Sequence, residues 1–264
     1  MANALHKVVR KLKRAVLRDE PTYYDMFLNA GERFFARLYL HHIRRWIQTQ
    51  GPAASLKILD AGCQAGRLSI PLALEGHQVT GVDTSAVGLN RARRHAQETG
   101  ASLQLIRADL GRWLLRTADH SFDVVLCTEV LYLRSNYKDL LRNLIRVLRP
   151  GGLCFISHRP TGYYLAEAFQ HRDREAVRTL LSAKEGTLFG SYYNWQDRED
   201  LQGLYPPMGV ELLSIPPIGF LSWLAVNPET LQPDEQELLF QAELASGHRC
   251  EGSGRYLLVV GKKR

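Results

Sequence analysis

Residues 56–85, LKILDAGCQAGRLSIPLALEGHQVTGVDTS, restrict the possible folds more than any other stretch of the chain. Leu56, Ile58 and Leu59 make a short apolar run that stops at Asp60. Gly62 and Gly66 follow, and Leu68, Ile70, Leu72, Ala73 and Leu74 supply the apolar side of a helix. A second short strand over 78–82 stops at Asp83. Two short strands joined by a helix need a crossover connection, so the pattern predicts a parallel β-α-β unit. Ligands of such sheets bind beyond the carboxyl ends of the strands, where Asp60, the glycines and Asp83 fall.

Glycines at 62 and 66 let the backbone turn sharply and a ligand approach closely. A carboxylate at the end of the second strand suits the two hydroxyls of a ribose. These features point to an adenosine cofactor. A dinucleotide fingerprint would read G-x-G-x-x-G and seat a pyrophosphate on the helix N-terminus. Here Asp60 leads the loop and Gln64 stands at the middle position. A leading carboxylate repels a pyrophosphate and attracts an ammonium group.

The stretch resembles motif I, D-x-G-x-G-x-G, of the class I S-adenosylmethionine-dependent methyltransferases, with Gln64 departing from the middle glycine. The resemblance implies an α/β fold: a doubly wound, seven-stranded, mostly parallel Rossmann-like sheet whose last strand is antiparallel. It also implies S-adenosyl-L-methionine as cofactor and S-adenosyl-L-homocysteine as product. Asp60, Gly62, Cys63, Gln64 and Gly66 would then line the methionine end, and Asp83 with Thr84 the ribose. After a third strand over 103–106, Asp109 and the Leu110 N–H match the family's adenine-binding positions. The run 122–127 reads as a central strand buried on both faces and brings Cys127 to the cofactor. Residues 128–132, TEVLY, resemble the C-S-E-V-L-E-H stretch of small-molecule methyltransferases; Glu129 is kept, while Tyr132 and Leu133 replace the acid and histidine. The turn Arg149-Pro150-Gly151-Gly152 matches the R-P-G-G turn before the fifth strand.

Outside this core the reading is less specific. Residues 1–18 hold six basic side chains and no acid, with Leu5, Val8, Val9, Leu12 and Val16 at helical spacing. Such a basic amphipathic helix suits RNA, an anionic membrane surface, or packing on its own domain. Residues 21–50 read as helix, and there Tyr23, Tyr24 and Asp25 are candidates for pocket lining or core packing. The expected organisation is an N-terminal helical cap over 1–50 and a cofactor-binding domain over 51–264, with a helical insertion at about 161–205. The insertion carries Tyr163, Tyr164, Tyr193 and Trp195, which suit either a water-excluding wall beside a sulfonium or the insertion's own core. A sixth strand over 210–215, an acidic helix over 228–246 and a last strand over 255–261 follow, with Lys262, Lys263 and Arg264 as a solvated basic tail.

His158, after the fifth strand, is the candidate general base, and Arg159 beside it could pair an acidic substrate. Together with Glu129 and Tyr132 they would border the substrate pocket. Cys63, Cys127, Cys154 and Cys250 form no C-x-x-C pair and no metal-ligand spacing, so the expectation is reduced thiols, no zinc and a cytoplasmic location. No apolar run reaches the length of a membrane span, and no signal-type apolar core leads the chain. The net charge of +7 is concentrated at the N-terminus. Three functions fit: methyl transfer to a small molecule at oxygen, nitrogen or carbon; methyl transfer to tRNA or another nucleic acid; and a non-catalytic partner subunit that keeps the fold.

Overall fold

A computed structural model describes residues 24–49, 55–224, 226–246 and 252–264. The expected basic helix of residues 1–18, Tyr23 and Cys250 lie outside the described residues. The fold is built on β1 (Lys57–Ala61), β2 (Gln78–Asp83), β3 (Gln104–Arg107), β4 (Phe122–Cys127) and β5 (Leu148–His158). Helices α2 (Ser69–Leu74), α3 (Ala86–Thr99), α4 (Leu110–Leu114) and α5 (Tyr137–Val147) connect them, and α1 (Ala30–Gln48) precedes them. The Asn29 side chain caps α1 by accepting from Glu32 N at 2.8 Å. Ser85 does the same for α3 at Gly88, and Gly100 ends α3 in the left-handed conformation.

The chain continues through α6 (Thr161–Gln170), α7 (Arg174–Ser182), β6 (Glu185–Leu188), β7 (Ser191–Asn194) and α8 (Arg198–Leu204). It then forms β8 (Val210–Ser214), β9 (Pro217–Ile218), α9 (Leu221–Leu224), α10 (Pro233–Ser246) and β10 (Tyr256–Lys263). The main sheet runs β3-β2-β1-β4-β5-β10-β8, with β10 antiparallel to both neighbours and β9 paired to β10 as a short eighth strand. The seven expected strands are all present. Asp60 of β1 faces Gly81 on one side and Leu126 on the other, so the strand order reverses at β1 and β4. Ligands of open α/β sheets bind at such a switch point.

One apolar cluster lies on each face of the sheet. Phe34, Tyr39 and Ile43 of α1 join Ile58, Leu126 and Phe155 on the first; Leu140, Leu144, Leu201 and Tyr205 join Leu59, Val125 and Ile156 on the second. The insertion is only partly helical, because β6 and β7 form a hairpin. Its turn places Phe189 and Gly190 at φ +55° and +81°, two consecutive left-handed residues as a tight hairpin requires. The β-favouring Tyr192 and Tyr193 supply the returning strand, a role the sequence reading gave to helix. Lys263 is no solvated tail: its Nζ donates to the carbonyls of Ile145, Arg146 and Leu148 at the end of α5. Among the described residues no helix is long and apolar enough to cross a membrane.

Candidate active site

The turn after β1 is bent by three left-handed residues, Gly62 at φ +93°, Gln64 at +45° and Gly66 at +85°. Gly62 and Cys63 donate to Val82 O, and Gly66 donates to Cys63 O, which fastens the loop to the end of β2. A Cβ on Gly62 would come within 2.3 Å of Val130 Cγ2, so this turn passes directly against the loop after β4. Gln64 therefore adopts the backbone form that the motif normally gives to glycine. Asp60 is buried and accepts from the Ser69 hydroxyl. Burial pushes its carboxyl up to about 6 against the opposing Ser69 hydrogen bond.

Asp83 closes β2, and each of its oxygens accepts one backbone N–H: Gln64 N at 3.0 Å and Ser85 N at 2.7 Å. An ionised carboxylate has about four acceptor sites, so room for two further donors remains. Thr84 beside it is exposed. Asp109 caps α4 at Arg112 N and pairs with Arg134 at 3.0 Å. The Arg112 backbone bond and then Arg134 hold its carboxyl below the ordinary value. Leu110, the first residue of α4, has an N–H without an intrahelical acceptor. Cys127 and Cys63 are buried thiols pushed up by burial, which makes them inert packing.

Between this loop and β10 lies a buried ion network of which the sequence reading named Glu129, Tyr132, Arg159 and Tyr163 but missed Arg67, Glu32, Arg255 and Tyr256. Arg67 donates to Glu32 at 2.9 Å and to Glu129 at 2.8 Å. Glu129 sits at φ +64°, donates its own N–H to the Ser157 hydroxyl and accepts from the Tyr256 hydroxyl at 2.7 Å. Burial alone would raise the Glu129 carboxyl; Arg67 and then Arg255 reverse that and leave it below the ordinary range. Glu32 goes the other way, because burial outweighs Arg67. Arg159 donates to the Tyr256 hydroxyl at 2.6 Å, and its guanidinium lies over Tyr163 at 3.9 Å and over Tyr132 and Tyr256 at 4.6 Å each.

Residues 58–152 match the family described as "Methyltransferase domain". This part of the chain is thus similar to methyltransferase domains. A ubiquinone biosynthesis O-methyltransferase of Pseudomonas putida (strain GB-1) is 34% identical over 134 residues, covering 48% of this chain and 57% of that protein. The protein of the same name from Rickettsia prowazekii (strain Madrid E) is 33% identical over 104 residues, covering 39% and 40%. The chain thus spans about half the length of these relatives. Among solved structures, magnesium protoporphyrin IX methyltransferase from Synechocystis PCC 6803 superposes with a TM-score of 0.58 at 16% identity, covering 89% of this chain and 85% of the other. The 1,6-didemethyltoxoflavin-N1-methyltransferase of Burkholderia thailandensis gives 0.56 at 17%, covering 97% and 87%. At such identities these structures bear on the fold alone.

In this segment Asp60, Gly62, Gln64, Gly66 and Asp83 converge at the switch point, while Asp109 and Leu110 stand at the end of β3. His158 does not join them. It is fully buried, with Nδ1 3.0 Å from Gln196 Oε1 and Nε2 2.6 Å from the Tyr205 hydroxyl. Burial lowers its imidazole to about 4, so it is neutral at pH 7 with both nitrogens engaged, and the expectation of a general base is corrected. Tyr164, Tyr193 and Trp195 pack together as the insertion's core: the Tyr164 ring is 5.1 Å from Tyr193 and 6.0 Å from Trp195, and Trp195 Nε1 donates to Ala183 O. Tyr163 and Tyr132 instead enclose Arg159. Tyr24 is half-buried at φ +62°, and Asp25 binds His95 Nε2 at 2.9 Å, anchoring the segment before α1 to α3.

Proposed function

We propose that the chain is an S-adenosylmethionine-dependent methyltransferase acting on a small-molecule acceptor. The observation that carries this reading is the turn between β1 and α2: a buried carboxylate at Asp60, two left-handed glycines, and an Asp83 carboxylate with acceptor sites to spare. These residues fit the cofactor. Asp60 would attract its ammonium group, Asp83 its ribose diol, and Asp109 with the Leu110 N–H its adenine. Bound there, the cofactor supplies an electrophilic methyl group on sulfur, open to in-line displacement.

This chain's own residues then position the acceptor and exclude water. The Arg159 cluster and the Glu129–Tyr256 pair close the ends of β4, β5 and β10. Arg67 and then Arg255 hold the Glu129 carboxyl below its ordinary range, which suits it to orient a donor group on the acceptor and leaves it a weak base. The relatives named as O-methyltransferases support an oxygen acceptor.

The test is incubation of the chain with methyl-labelled S-adenosylmethionine and separate pools of phenols, carboxylic acids, amines and total tRNA. Label in a low-mass product supports the reading. Label in tRNA would replace it with nucleic-acid methylation. Cofactor binding without transfer to any pool would favour a non-catalytic partner subunit.

A further inference from the structure

A cavity of ≈ 460 Å³ lies beside the ion network and is lined by Arg255, Phe35, Trp223, Val226, Glu32 and Glu229, among others. That volume suits a small ligand. Its walls are built rather than accidental. Glu243, itself buried, accepts from Phe220 N, Ser222 N and the Ser222 hydroxyl, which pins the segment carrying Trp223. The Trp223 ring lies 5.3 Å from Tyr163, which covers Arg159. The cavity is thereby continuous in structure with the residues that close the ends of β4 and β5.

Arg67, Arg159 and Arg255 gather around Glu32 and Glu129, while the third buried carboxylate beside the cavity, Glu243, is taken up by Phe220 N, Ser222 N and the Ser222 hydroxyl. Arg67 is committed to both glutamates and Arg159 to Tyr256. Arg255 is held over the rings of Phe35 at 4.7 Å and Tyr256 at 5.7 Å, and its side chain makes no hydrogen bond to a described residue. A guanidinium carries five N–H donors in a planar fork that matches a carboxylate. A guanidinium whose donors meet no side-chain acceptor gains a charge-assisted hydrogen bond when an anion joins it. Of the two acids in the lining, Glu32 is tied to Arg67, and Glu229 is exposed to screening solvent.

We propose that this cavity receives the methyl acceptor, and that the acceptor is a carboxylate with a flat apolar body: the carboxylate pairs with Arg255, and the body lies against Phe35 and Trp223. The proposal rests on the methyltransferase reading for the word acceptor, and on the cavity alone for the anion. The other source of a carboxylate at Arg255 is the cofactor's own methionine end.

Calorimetric titration of the full chain, with and without saturating S-adenosylhomocysteine, separates these. The probes are phenylacetate and 3-phenylpropanoate beside their primary amides. The carboxylates are expected to bind about tenfold or more tighter than the amides, the scale of a charge-assisted hydrogen bond. Arg255→Gln is expected to abolish that preference and to leave S-adenosylhomocysteine affinity unchanged. Equal binding of acids and amides to the unaltered chain overturns the proposal without any variant. A tenfold loss of S-adenosylhomocysteine affinity in a normally folded Arg255→Gln protein also overturns it, because the anion would then be the cofactor's. A carboxylate preference in a chain that binds no S-adenosylhomocysteine upholds the anion site and sinks the methyltransferase reading instead.

Discussion

Arg67, the residue after the glycine turn, donates to Glu129, two residues beyond β4, at 2.8 Å with both side chains almost wholly enclosed. This single contact locks the turn after β1 to the loop after β4, the two segments that flank the switch point of the sheet. Glu32 of α1 takes the other side of the same guanidinium.

Removing Arg67 leaves two buried carboxylates facing each other without their shared partner. Arg67→Met is expected to cost about 3–5 kcal/mol of unfolding free energy, the scale for breaking a buried ion pair from one side. The exposed Arg44–Glu75 pair is the control, since Arg44→Met should cost about 1 kcal/mol or less. Urea unfolding of the two variants measures both.

Asp60 sets a pH dependence of defined sign. Its folded value is raised from 3.8 to about 6, so its contribution to stability is fully present below 3.8 and lost as pH rises through about 6. Asp60→Asn keeps an acceptor for the Ser69 hydroxyl without a charge. Its stability relative to the unaltered chain should therefore grow by roughly 1 kcal/mol between pH 5 and pH 8. Binding of S-adenosylhomocysteine should weaken as pH falls through about 6, where Asp60 takes up a proton, and Asp60→Asn should remove that limb.

His158 acts in the opposite direction. Burial lowers it from 6.5 to about 4, so its contribution is present above 6.5 and lost as pH falls through about 4. The Asp60 and His158 effects partly cancel in the unaltered protein, and single variants are needed to see either. His158→Phe leaves Gln196 and Tyr205 without their shared partner and should cost about 1–3 kcal/mol. Methyl transfer per folded molecule should stay within a few-fold of normal; a loss of about a hundredfold or more would restore His158 as a base.

Gln64→Gly tests whether the left-handed backbone at +45° is strained. Relief of that conformation should raise unfolding free energy by about 1 kcal/mol, less whatever the Gln64 side chain gains by lying against Gly88. Thermal unfolding with and without S-adenosylhomocysteine reads the effect on the fold and on the cofactor separately.

How much of this was legible in the sequence follows the range of each interaction. The β1–β2 unit is written in short-range periodicity and glycine placement, whereas the antiparallel β10 was implied by the family resemblance that motif I and the R-P-G-G turn carry, and the order of the strands comes from the structure. Arg67 was not legible, because its meaning lies in Glu32 and Glu129, 35 and 62 residues away. The available signal was a single cation between Gly66 and Leu68 at the start of an apolar helix. His158 was misplaced although strand alternation marks its side. Ser157 reaches Glu129, so its neighbour on β5 points to the opposite face with Cys154 and Ile156. The aromatic residues of the insertion were read by composition alone, and only the fold separates Tyr163, beside Arg159, from Tyr164 and Trp195 in a closed core.

The central claim is that the loop between Asp60 and Asp83 holds S-adenosylmethionine. Calorimetric titration of the chain with S-adenosylmethionine and S-adenosylhomocysteine, beside a folded Asp83→Ala variant, tests it most directly. Saturable binding that weakens about tenfold or more in the variant is the predicted result, the scale of hydrogen bonds lost to a charged group. Absence of binding to the unaltered chain, or equal affinity in both, would contradict it.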